Sequence, residues 1–219
     1  MAALKVGVLI SGRGSNLQAL LDAASVPGFP ARIVAVVSNK ADAGGLERAK
    51  RAGVPAFAIP HKGYPDRESF DRAVDAKLRG HDVEFVCLAG FMRLLSDWFI
   101  GQWADQIVNI HPSLLPAFKG LHPQAQALAA GVRLSGCTVH IVRPELDSGP
   151  IIVQAAVPVM PGDTPETLEA RILTAEHRCY PLALRLIAEK RVHIEGDVVR
   201  VDGAAPSVDV LFHPKTDQT

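Results

Sequence analysis

The sequence is short of the features that mark several functional classes. It has only three cysteines, Cys87, Cys137 and Cys179, odd in number and too far apart for a Cys-x-x-Cys pair. That argues against a disulfide framework and a thiolate zinc site, and it points to a reducing, cytoplasmic compartment. Net charge is missing too: 23 Lys and Arg balance 23 Asp and Glu, with a pI near 7.1. Without a basic field, no nucleic-acid partner is expected, and any bound anion must be held by local geometry. No apolar run approaches the ~18–20 residues of a membrane span, so no membrane partner is expected. The run that closes at Ile10 is short and ends in Ser11-Gly12-Arg13-Gly14 instead of a cleavage site, so no signal peptide is expected. There are no internal repeats, low-complexity tracts or interdomain linkers.

What is there is 219 residues, 48% of them hydrophobic. That suffices for one large domain, or one domain with an appendage, whose core needs no staples. Val6–Ile10, Ile33–Val37, Val83–Ala89 and Ile107–Ile110 are near-continuous apolar runs, the pattern of strands covered on both faces, and Pro55–Ile59 is a weaker strand. Helical patterns lie between them. Leu17, Leu20, Leu21 and Ala24 follow Asn16; Ala43–Ala52 stops at Gly53; Arg67–Leu78 carries Phe70, Val74 and Leu78; and Ser96 caps a helix through Trp98, Phe99 and Trp103. This alternation predicts an α/β fold with a doubly wound, mostly parallel sheet.

After His122 the rhythm changes. Gln124–Ala130 reads as a helix. Thr138–Val142 and Ile151–Val159, joined by Arg143–Pro150, predict antiparallel strands added in the second half. Thr164-Pro165-Glu166-Thr167 opens a long helix to about Glu189, which Pro181 is expected to kink. Gly196-Asp197 between Arg191–Glu195 and Val198–Val201 signals a hairpin. The expected organisation is a single domain over 1–202, with halves at 1–110 and 111–202, and an irregular tail at 203–219.

Ligands of such sheets sit outside the carboxyl ends of the strands. In Ser11–Asn16 the glycines let backbone N–H groups approach an anion, and the following helix start adds partial positive charge. No Gly-Lys-Ser/Thr follows, Leu17 stands at the third glycine position of a dinucleotide fingerprint, and the second strand ends in Ser38-Asn39-Lys40 without a carboxylate for a ribose. A single phosphate therefore fits better than a dinucleotide. A plain glycine turn with Asn16 as helix cap has the same composition. Asn109 and His111, two apart on an extended strand, point to one side, where an amide and an imidazole can stabilise an oxyanion. The same pair also suits loop anchoring and packing. Asp147 in Glu145–Gly149 joins them only if the chain folds it towards His111; otherwise it is a turn residue.

Together these segments resemble glycinamide ribonucleotide formyltransferase, a folate-dependent purine-pathway family, from about Lys5 to Leu186. The resemblance lies in the order and separation of Ile10–Asn16, Ser38–Asp42, Leu88–Arg93, Asn109–Pro116, Gly120–His122, Thr138–His140, Leu146–Gly149 and Ala175–His177. It implies transfer of the formyl group of 10-formyltetrahydrofolate, a co-substrate, to the amine of glycinamide ribonucleotide, with no metal, by a monomer or homodimer. It places the catalytic roles on Asn109, His111 and Asp147. The 1–110 half would bind the phosphate substrate, through Gly14, Ser15 and Asn16, with Pro112 and Glu176 completing that site. The 111–202 half would be the folate-binding and catalytic half. Folate would meet Arg67, Met92, Arg93, Leu94, Leu95, Arg143, Pro144, Glu145 and Leu146. His140 and His122 would support the site, His140 standing equally well as a packed ring.

Three positions depart from the family pattern: Leu173 where Gln is frequent, Pro123-Gln124 where polar or basic residues are, and Pro144 where an acid is. His61, His81, His193 and His213 lack metal-ligand spacing and read as ordinary. A formyltetrahydrofolate hydrolase would carry an extra N-terminal domain, for which a first strand beginning by Leu4 leaves no room. A methionyl-tRNA formyltransferase would carry a larger C-terminal domain and a tRNA-binding charge. A phosphate-ligand sensor on the same fold is the alternative of a different class.

Overall fold

The first strand, β1 (Leu4–Ile10), buries both of its faces. Val6, Val8 and Ile10 enter one core cluster and Leu9 enters another, all fully buried. A strand sealed on both sides belongs in the middle of a helix-covered sheet, and that is where the computed structural model, which describes residues 2–204 and His213, puts it. The seven strands run β3-β2-β1-β4-β5-β6-β7. They are β2 (Ala31–Ser38), β3 (Ala56–Ala58), β4 (Phe85–Leu88), β5 (Ile107–His111), β6 (Leu134–Ile141) and β7 (Ile151–Pro158). β3 to β5 join in parallel; β5–β6 and β6–β7 are antiparallel. The predicted fold class is therefore observed.

One core cluster packs under α1 (Ser15–Ser25), α2 (Gly44–Arg51) and α6 (Pro165–Ala188), with Leu17, Leu20, Ala49, Leu168, Tyr180 and Leu184 fully buried. The other packs under α3 (Arg67–Arg79) and α4 (Asp97–Gln102), through Phe70, Val74, Leu78, Phe99 and Trp103. The start of α4 is as read: the Ser96 hydroxyl accepts from Phe99 N. The start of α6 is a reciprocal cap between Thr164 and Thr167 with Pro165 in the first turn.

α6 runs through Pro181 as one element, with Cys179, Tyr180, Ala183 and Leu184 buried against the sheet on both sides of the proline. Two readings need correction. β6 begins at Leu134, ahead of the expected Thr138. Gly136 breaks the apolar pattern there, yet it is required by packing: a Cβ would run into the Ala155 carbonyl of β7. α5 (Pro123–Ala129) starts one residue early, from a left-handed His122. β8 (Val192–Glu195) and β9 (Val198–Val201) form the expected hairpin as a separate sheet. Of the tail read at 203–219, residues 205–212 and 214–219 lie outside the described residues.

The chain leaves β1 for β2 and β3 on one side and returns to β4 on the other. The carboxyl ends of β1 and β4 thus border the crevice at which such sheets bind ligands.

Candidate functional site

β5 carries Asn109 and His111 at alternate positions to the sheet's carboxyl edge, and the antiparallel β6 sets His140 opposite Asn109 and Thr138 opposite His111. The β6–β7 connection then brings Asp147 back over them. Its backbone is left-handed (φ 48°), rare for a non-glycine residue and a form of strain that collects at functional sites. Asp147 Oδ2 accepts from Gly120 N at 2.9 Å and lies 3.4 Å from His111 Nδ1. All three of His111, His140 and Asp147 are at least nine-tenths buried. The condition for Asp147 to act with His111 is met in the geometry.

The two histidines are held differently. His140 Nδ1 is 3.0 Å from the Ile141 carbonyl, which only accepts, so Nδ1 bears the proton. Burial lowers the His140 pKa, outweighing its neighbouring carbonyl and Asp147, and the ring is neutral. Its Nε2 lone pair then accepts from Asn109 Nδ2 at 3.4 Å. The 3.7 Å approach of Nε2 to Asp147 Oδ1 is consequently no ion pair. His111 has an acceptor at each nitrogen, Phe118 O 2.9 Å from Nε2 and Asp147 at Nδ1. A neutral ring has one N–H to give, whereas an imidazolium satisfies both.

The glycine loop makes a second cluster. Gly14 is left-handed (φ 73°), and a Cβ there would come within 2.6 Å of the Gly45 Cα, so this pair of glycines lets α2 abut the start of α1. Asn16 is not the helix cap; Gly14 holds that position. Asn16 Nδ2 instead donates to Glu176 Oε2 at 2.7 Å across to α6, while Asn16 Oδ1 is buried without a protein partner. Glu176 is 5% exposed, so it is no solvated helix charge, and burial pushes its carboxyl pKa up. Ser15 is half-buried in the first turn, and Pro112 directly follows β5.

The 91–95 segment forms the third part. Met92 and Leu94 are 70% and 54% exposed, not core, whereas Leu95 is buried. Arg93 lies over the Phe70 ring, 5.1 Å from its centroid. Arg67 is exposed in the first turn of α3, beside a surface hollow of about 620 Å³ that Ser69, Arg72 and Ser96 also line. In the β6–β7 connection, Arg143 pairs with Asp105 at 2.6 Å and Glu145 with Lys119 at 3.3 Å; Pro144 and Leu146 are exposed. The His122 side chain is exposed, and no hydrogen bond among the described residues joins it to Asp147. Leu173 is half-buried on α6, and Gln126, near Pro123-Gln124, donates to Lys119 O and Leu121 O.

Sequence reasoning missed the scaffold beneath. Thr138 Oγ1 donates to Ser113 O at 2.7 Å and accepts from Leu115 N, and Gln154 donates to Leu115 O at 2.9 Å. Polar residues at period two in an apolar strand, Thr138 and His140, were its available signal. Tyr180 OH lies 2.9 Å from Leu88 O and 3.3 Å from Val108 O, bridging β4 and β5 from α6; nothing in its local sequence shows that. Among the described residues, no group of three or more His, Cys, Asp or Glu could hold a metal, and no helix is long and apolar enough to cross a membrane.

A formyl transferase family model matches residues 4–184. The chain is 57% identical over 186 residues to the trifunctional purine biosynthetic protein adenosine-3 of Drosophila pseudoobscura pseudoobscura, covering 84% of this chain but spanning only 14% of that relative's length. It is 44% identical over 200 residues to the phosphoribosylglycinamide formyltransferase of Escherichia coli, covering 91% of this chain and 94% of that one. The crystal structure of glycinamide ribonucleotide transformylase 1 from Symbiobacterium toebii superposes with a TM-score of 0.89 at 53% identity, over 91% and 94% of the two chains. A formyltetrahydrofolate deformylase from Pseudomonas syringae superposes with a TM-score of 0.84 at 30% identity, over 91% of this chain and 66% of that one.

Proposed function

This chain belongs to the formyl transferase family, in the branch of the phosphoribosylglycinamide formyltransferases, and on that premise we propose that it moves the formyl group of 10-formyltetrahydrofolate to the amine of glycinamide ribonucleotide in purine biosynthesis. The observation that carries this reading is the buried chain of contacts Asn109–His140 and His111–Asp147 at the sheet's carboxyl edge.

The substrate amine attacks the formyl carbon and creates a tetrahedral oxyanion. Asn109 gives one N–H to His140 and aims the other at that oxygen. His111, set by Asp147, supplies the second donor by exchanging Phe118 O for the oxyanion. The new C–N bond forms, the bond to N10 breaks, and the proton lost by the amine reaches N10 through His111 and Asp147. The amine is itself the nucleophile, so no covalent enzyme intermediate and no metal is needed.

The phosphate sits on the N–H groups of Gly14, Ser15 and Asn16, with Glu176 and Pro112 meeting the rest of that substrate. The backbone of Met92–Leu95 pairs with the pterin edge; Arg67, Arg93 and Arg143–Leu146 line the remainder of the folate site, and His122 shapes the adjoining loop. Residues 1–202 act as one unit, the phosphate-binding half at 1–110 and the folate-binding, catalytic half at 111–202, working as a monomer or homodimer in the cytoplasm. The test is an absorbance assay of folate product with and without glycinamide ribonucleotide. Product only with the acceptor is expected. Formate released without it would make the chain a hydrolase, and binding without turnover would make it a sensor.

A further inference from the structure

The Ser11 hydroxyl sits where three of the sheet's carboxyl-end loops meet, and it is 4% exposed. It donates to Asn39 Oδ1 at 2.6 Å and accepts from Met92 N at 2.8 Å. Ser11 N donates to Gly90 O at 3.1 Å. Met92 N–H occupies a lone pair, so the hydroxyl proton points to Asn39. Asn39 Nδ2 and the Asn39 backbone carbonyl both face His61 Nδ1, at 3.3 and 3.2 Å. Asn39 is 2% exposed, so each of these bonds is costly to leave unmade. The first residue of the glycine loop is thereby fastened, by backbone and side chain, to the segment that begins at Gly90. That segment's other end is held by Asp71, whose carboxylate accepts from Ser96 N at 2.6 Å.

We propose that Ser11 is a positioning residue that couples the two substrate sites, so that the phosphate substrate and the folate each tighten the binding of the other. The proposal rests on the assignment of the glycine loop to the phosphate and of Met92–Leu95 to the folate. A folate that pairs with the 92–95 backbone fixes the direction of Met92 N–H, and with it the Ser11 hydroxyl and the start of the loop whose next N–H groups face the phosphate. A loop already ordered by one ligand costs the second less to order, and this effect is reciprocal by thermodynamic necessity. None of the groups involved is the amide, imidazole or carboxylate around which the formyl group moves, so the coupling is separable from the chemistry.

The experiment is calorimetric titration of the full chain with glycinamide ribonucleotide, alone and with saturating tetrahydrofolate, which binds the folate site without a formyl group to transfer. The wild-type protein is expected to bind glycinamide ribonucleotide at least about fivefold tighter with tetrahydrofolate present, the low end of ordinary coupling. Ser11→Ala is expected to reduce that factor below about twofold while each ligand still binds alone. Asn39→Ala, which leaves the Ser11 hydroxyl without its acceptor, is expected to fall between the two. Wild-type coupling retained in Ser11→Ala, or independent binding in the wild-type protein, overturns the proposal and leaves the assignment of the two sites standing. Failure of the wild-type protein to bind glycinamide ribonucleotide both alone and with tetrahydrofolate present overturns that assignment, and the proposal with it, and is seen before any variant is made.

Discussion

Asp147 Oδ2 lies 3.4 Å from His111 Nδ1, and a single backbone donor, Gly120 N, holds the same oxygen at 2.9 Å. The carboxylate is thus fixed from the loop after β5 before it meets the ring. Asp147→Asn keeps the shape and removes the charge. We expect kcat to fall by about 10²–10⁴ with the KM for glycinamide ribonucleotide little changed, as steady-state kinetics would show. An unchanged kcat would remove Asp147 from the mechanism.

Asn109→Ala deletes the amide that His140 orients. A loss of about 10²–10³ in kcat is expected, the usual worth of one oxyanion donor. His140→Phe keeps a ring but removes the acceptor and should reproduce part of that loss. A His140→Phe enzyme with full turnover would reduce His140 to packing.

The buried His140 makes stability depend on pH. Its pKa is lowered on folding from an ordinary value of 6.5, chiefly by burial. Below that value the unfolded chain takes up a proton that the folded ring refuses, so stability falls as pH drops beneath about 6.5 and is insensitive to this group above it. His177, also lowered by burial, adds to the same slope. Melting temperatures between about pH 5 and 8 should decline less steeply towards acid in His140→Gln.

Glu176 behaves with the opposite sign. Burial raises its carboxyl pKa above the ordinary 4.5. The folded state then binds the proton better than the unfolded one, so the favourable contribution is complete below 4.5 and is lost as pH rises through the raised value. Glu176→Gln keeps an oxygen for Asn16 Nδ2 and carries no charge to bury. We expect it to melt higher than wild type at neutral pH, with the gap closing as pH falls through the raised value towards 4.5, and to bind glycinamide ribonucleotide more weakly.

Gly136 offers a test of the sheet itself. An added methyl meets the backbone carbonyl of Ala155, which cannot swing aside as a side chain end would. Gly136→Ala should cost about 1–3 kcal/mol in denaturant unfolding. A neutral result would mean that β6 and β7 separate more readily than their register implies.

Legibility followed the reach of each signal. β1, β2, β4 and β5 were readable because a strand covered on both faces is apolar at every position. Thr164 and Ser96 were readable because caps are local. The first residues of β6 were not, since Gly136 answers to a carbonyl on another strand. That α6 runs on past Pro181 also answers to distant partners: the burial of Tyr180 and Leu184 offsets the bond that the proline removes. Within the site, Asn109 and His111 announced themselves by spacing, whereas Thr138, Gln154 and Tyr180 work through partners distant in sequence.

By itself, then, the order of residues determined the α/β class, the carboxyl-end loops and the family resemblance, because periodicity, caps and motifs are properties of neighbours along the chain. Only the tertiary structure decided which of the flagged polar groups meet. Asp147 reaches His111 through the register of β5 against β6, the turn back to β7 and a left-handed backbone at residue 147. Asn16 finds Glu176 instead of capping its own helix because α1 and α6 pack side by side. Such contacts depend on angles and registers summed over many residues, and no local pattern encodes that sum.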